Sequence, residues 1–186
     1  MSPALDALGL PDGWQEGVGP HMGAMVVVLQ PPSVLTHQMG ATEWRLLADQ
    51  LYMGGMDVAA LYATALVKKP GDDAPTVEES IPYLAEEIQR TVPRYILALG
   101  QEVYTALTGL QSELALYRGI WQRLADRYDW DEALVIGTWT PAEALENPAR
   151  MSPFRRDVRE FARVWKSKFP DGAPPPLVQR TFGEGS

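Results

Sequence analysis

Few residue types in this chain are able to do chemistry. It contains no cysteine, which excludes disulfides, a thiol nucleophile, thiolate zinc sites and a Cys-ligated iron–sulfur cluster. Its two histidines, His21 and His37, stand sixteen residues apart with no carboxylate cluster beside them. That spacing makes no metal site, and no cofactor is expected. The remaining polar chemistry gathers in short segments: Gln30-Pro31-Pro32-Ser33, Lys68-Lys69 with Asp72-Asp73 after them, and Thr140-Pro141-Ala142. At the plainest level the first is a turn that stops a strand. The last is a helix N-cap with proline at the first helical position. Lys68, Lys69 and the run Arg155, Arg156, Arg159, Arg163 and Lys166 offer phosphate contacts, although surface helices carry such faces routinely.

The elements that must position these groups follow from periodicity. Met25–Leu29, Leu61–Val67, Arg94–Leu99 and Leu134–Thr138 are short apolar or β-branched runs, read as buried strands. Between and after them, helical spacing predicts helices over 42–53, 76–90, 101–108, 112–128 and 153–168. Thr76-Val-Glu-Glu79 carries a capping-box signature. Alternating strands and helices predict an α/β protein, a three-layer α/β/α arrangement with a four-stranded parallel sheet. Residues 1–24 read as an irregular lead-in, 25–169 as the α/β domain and 170–186 as a Pro/Gly-rich flexible tail. In such sheets ligands sit beyond the carboxyl ends of the strands. Here those ends are Gln30–Ser33, Val67–Pro70, Gly100–Gln101 and Thr138–Ala142. His37, in the loop after the first strand, is a candidate acid facing that pocket, and Asp73 a candidate catalytic carboxylate.

With 186 residues the chain has room for one domain with a proper core. Sixteen Lys and Arg against 24 Asp and Glu leave a net charge of −8, which argues against strong non-specific affinity for nucleic acid. A local basic groove stays compatible with that balance. The apolar runs are too short to span a bilayer, and Met1–Leu10 lacks the pattern of a secretory signal. A soluble, intracellular (cytoplasmic) protein without a membrane partner is expected.

The strand-end loops, in their order, resemble those of the uracil-DNA glycosylase superfamily, specifically its iron–sulfur branch. That branch ends its first strand in G-E-x-P-G, where this chain has Leu29-Gln-Pro-Pro-Ser33. Its second strand leads into a loop like N-V-V-K-C-R-P and then P-T-x-x-E. The counterparts here are Ala65-Leu-Val-Lys-Lys-Pro70 and Pro75-Thr-Val-Glu-Glu79. Pro93-Arg-Tyr-Ile-Leu-Ala-Leu-Gly100 with Leu107-Thr-Gly109 matches the third strand and the short helix after it. Thr140-Pro-Ala-Glu-Ala-Leu-Glu-Asn-Pro148, then Asp157, stands where the branch has H-P-S-A-L-L-x-N-P and a later acidic residue. The resemblance covers roughly residues 24–168 and implies a uracil-DNA glycosylase-like fold.

It also implies roles. In the superfamily the first loop positions or activates water, the last loop's histidine stabilises the departing uracil anion, and an asparagine on the second strand reads the base edge. This chain has Gln30-Pro31, Thr140 and Ala65 at those places. Gln30 orients water but is no base, Thr140 is a weak neutral donor, and Ala65 reads nothing. The cluster cysteines are missing, with Lys69 near one expected place. Catalytic candidates are therefore Gln30, His37 and Thr140. Pro31, Pro32, Ser33, Ala65, Lys68, Lys69, Gly100, Pro141, Ala142 and Leu145 are the base- or DNA-binding candidates. Leu145 occupies the position from which the superfamily pushes an apolar wedge into the duplex as a base flips out. Met39 and Trp44 lie near the place of a base-stacking ring. Three readings stand: a domain that binds DNA or an extruded base in repair or replication with little or no uracil excision; an active glycosylase for another modified base; and a catalytically dead scaffold that docks a replication or repair protein.

Overall fold

A computed structural model describes residues 9–29, 41–69, 71 and 73–172. Five strands and six α-helices follow one another along it: β1 (Ala24–Val28), α1 (Ala41–Met53), β2 (Tyr62–Ala65), α2 (Val77–Thr91), β3 (Tyr95–Leu99), α3 (Gln101–Thr108), α4 (Leu114–Tyr117), β4 (Gln122–Arg123), β5 (Leu134–Thr138), α5 (Pro141–Glu146) and α6 (Pro148–Lys168). The sheet order is β2-β1-β3-β5-β4. β1 pairs in parallel with β2 and β3, and β3 with β5.

Successive strand residues point to opposite faces, so each apolar strand feeds two cores. Ala24, Val26, Leu97, Leu99 and Ile136 pack with Leu47, Leu51, Phe154, Val158 and Phe161 from α1 and α6. Met25, Val27, Ile96, Ala98 and Val135 pack with Ile81, Leu84, Ile88, Val103 and Leu107 from α2 and α3. This is the expected α/β fold with helices on both faces of a largely parallel sheet.

The strand count needs correction from four to five. β4 adds a two-residue antiparallel edge, with Gln122 opposite Val135 and Arg123 opposite Leu134. The helix expected over 112–128 is likewise replaced by α4, β4 and a 3-10 turn at Asp126–Tyr128. Gly119 is the reason. Its φ is +74°, its N–H donates to the Gly137 carbonyl at 3.0 Å, and a Cβ there would sit 2.5 Å from Asp157 Oδ1. A helix through 119 would forfeit that docking. Further on, the Tyr128 hydroxyl donates to the Ala106 carbonyl at 2.7 Å and its ring is fully buried.

α6 also starts earlier than expected, because Asn147 caps it by accepting from the Ala149 N–H at 3.0 Å and Pro148 opens the first turn. The lead-in is partly ordered onto the sheet. Val18 forms an antiparallel bridge with Ala63, and the Gln15 N–H donates to the Lys68 carbonyl at 2.7 Å. Most of the expected tail, from 173 onward, lies outside the described residues. No helix among them is long and apolar enough to cross a membrane.

Candidate functional site

The carboxyl ends of β2, β3 and β5 open on one edge of the sheet, with β1 between β2 and β3. Gln30, Pro31, Pro32, Ser33 and His37, which follow β1 in the sequence, lie outside the described residues, as do Met39 and Asp72.

On the β3–β5 side of this edge, Gly100 and Thr140 meet. Gly100 has φ +100°, its N–H donates to the Thr138 carbonyl at 2.9 Å, and a Cβ there would lie 3.1 Å from Thr140 Cγ2. Only glycine admits this approach without strain. Thr140 closes a capping box on α5: its hydroxyl accepts from the Glu143 N–H at 3.1 Å, and its own N–H donates to Glu143 Oε1 at 3.3 Å. Pro141, at the first helical position, is buried, Ala142 is half-buried, and Leu145 projects from α5 at 44% exposure.

The second oxygen of Glu143 accepts from Arg150 Nη1 at 2.9 Å, and the Arg150 guanidinium lies 4.2 Å from the Trp139 ring centre. Glu143, Arg150 and Trp139 are absent from the sequence-level candidates. The Thr-x-x-Glu spacing at 140–143 was a readable signal for Glu143, as it was at 76–79. Nothing local signals Arg150, which reaches back from another helix. Behind the loop, Asp157 is buried and accepts from Thr138 Oγ1 at 2.8 Å and from Arg118 Nη1 at 2.9 and 2.7 Å. Its Oδ2 thereby ties α6 to β5, while both oxygens tie α6 to Arg118 at the end of α4.

On the other side, at the end of β2, Ala65 is buried opposite Val28 and presents no polar group. The expected phosphate contact by Lys68 is corrected by its burial at 1% exposure. Its ammonium turns inward, 2.7 Å from Thr64 Oγ1 and 3.0 Å from Glu87 Oε1. Glu87 Oε2 accepts from the Gly17 N–H at 3.1 Å. Burial pulls the Lys68 ammonium down from the usual lysine range, and Glu87 opposes that pull. Acceptors that meet the ammonium inside make the solvent-facing rotamer unnecessary.

Lys69, the next residue, is partly exposed and pairs with Asp73 Oδ2 at 2.6 Å. That bond holds the Asp73 carboxyl below its usual range. With an ammonium and no thiolate at this place, the donor set does not fit an iron–sulfur cluster. Trp44 is half-buried against the α1–α6 core. The fold therefore brings together Gly100, Thr140, Pro141 and Ala142, sets Ala65 and Lys69 across β1 from them, and withdraws Lys68.

A family model described as "Uracil DNA glycosylase superfamily" matches residues 23–167. No curated protein matches the chain.

Proposed function

The chain belongs to the uracil-DNA glycosylase superfamily, and from that premise we propose that it holds DNA or an extruded base at the strand ends while excising uracil weakly or not at all. The observation that carries this reading is the state of Thr140. At the place where the superfamily needs a donor to the departing base, a neutral hydroxyl accepts the Glu143 N–H as a helix cap. Breaking an N-glycosidic bond asks for oriented charge or donors at the leaving group, and losing one such donor typically costs about 10²–10³ in rate. Ala65 adds no reading of the base edge. What supports retained contact is the exposed Leu145 on a rigidly capped α5, with Lys69 at the far side of the same edge. We assign the protein to DNA repair or replication, beside a protein partner of that machinery.

The test is to measure, in parallel, binding to and base release from single- and double-stranded oligonucleotides carrying uracil, xanthine, hypoxanthine or hydroxymethyluracil. Binding with negligible uracil release is the expected outcome. Release of uracil at the rate of a typical family member overturns the reading, and release of another base alone replaces it with an active glycosylase of different specificity. Absence of any DNA binding leaves the scaffold.

A further inference from the structure

α6 carries seven basic side chains and two acidic ones in a chain whose net charge is −8. Neither acid neutralises the outer face as a whole. Asp157 points inward to Arg118, and Glu160 is clasped by Arg163 at 2.7–3.0 Å. Arg159 is held by uncharged acceptors, Gln50 Oε1 at 2.8 Å and Met53 Sδ at 3.4 Å, so it is fixed in place with its charge intact. Gln50 itself is only 5% exposed, which makes it a rigid anchor. Arg155 and Arg156 are exposed and have no ion-pair partner among the described residues.

These side chains line a groove of about 550 Å³ between α6 and the C-terminus of α1, with Ser152 at its head and Met53 along its wall. Gly54 forms its floor by close approach, since a Cβ there would lie 2.6 Å from both Ala162 Cβ and the Arg159 carbonyl. The groove lies on the flank of α6 turned away from Arg150, which bonds to Glu143: Arg159 follows nine residues later, about 14 Å along the helix axis and half a turn around it.

We propose that this groove binds the phosphodiester backbone of a nucleic-acid strand, with Arg155, Arg156 and Arg159 as its phosphate contacts. The inference rests on the DNA-facing reading above. Guanidiniums suit the task because their planar donor fork matches phosphate oxygens. Their clustering on one face of the helix, with a neutral wall opposite, suits a single backbone without reading bases.

The test uses the full chain and a labelled single-stranded oligothymidylate, titrated over a range of low salt concentrations. Arg155→Ala with Arg156→Ala is the test variant. Arg94→Ala, which removes a charge at the opposite end of β3, is the control. The double variant is expected to bind about tenfold more weakly and to flatten the salt slope by about 1.4, or roughly 0.7 for each phosphate that is no longer neutralised. The control is expected to match the wild type. A double variant with unchanged affinity and slope overturns the groove while leaving the DNA-facing reading intact. A wild type that binds no oligonucleotide overturns that reading, and the groove assignment with it. Wild-type binding of polyglutamate that disappears in the double variant while oligonucleotide binding persists overturns the assignment in favour of an acidic protein segment.

Discussion

Lys68 shows how far a residue's type stands from its use. Beside Lys69 at a strand end it reads as a surface cation, yet its partner Glu87 is nineteen positions away on α2. Local sequence carries no trace of a pairing formed by a crossover. The same holds for Arg118 and Asp157, thirty-nine positions apart. Short-range chemistry was legible by contrast: the caps at Thr76 and Thr140 are as their spacing predicts. A buried pair that loses one member leaves the other charge stranded, at a typical cost of about 3–5 kcal/mol. Lys68→Met is therefore expected to destabilise the protein by about that amount in denaturant unfolding, while the salt slope of DNA binding at protein concentrations where the variant is folded stays unchanged. A flattened slope with unaltered stability would restore Lys68 to the surface as a phosphate contact.

Among the elements, α5 links stability to the question of activity. Its capping box is Thr140 with Glu143, so Thr140→Ala is expected to lose about 1 kcal/mol of stability, and Thr140→Ser to lose little. Neither variant is expected to change base release, since a neutral hydroxyl gives a departing anionic base little stabilisation. A drop in release with Thr140→Ala that Thr140→Ser restores would make the hydroxyl a catalytic donor. Strands and long helices were legible at this scale because periodicity and caps agree along them. The stretch 112–128 was not. Its apolar spacing is helical, but Gly119 abandons the helix to sit against Gly137 and Asp157, contacts made to β5 and α6 that are distant in sequence. The loop after β1 carries Gln30 and His37, and those two candidates lie outside the described residues.

At the scale of the whole molecule, parallel pairing of β1 with β2 and of β3 with β5 was legible from the alternation of strands and helices, because parallel strands demand crossovers. The weak antiparallel rim was not, since two residues carry no period. The lead-in was legible only as irregular chain, and its Val18 bridge to Ala63 makes it the outer border of β2. Deleting residues 1–18 is expected to expose that border and to produce concentration-dependent association in sedimentation or light scattering, as unpaired strand edges do. A deleted chain that stays monomeric at high concentration would assign the lead-in no such role. With Val18 laid along one margin and β4 reduced to Gln122–Arg123 at the other, the sheet has little free ribbon on which another polypeptide could zip. Any companion that this protein recruits must therefore grip side chains on helix faces or strand ends, so that its specificity is written in charge and shape and can drift without disturbing the backbone beneath.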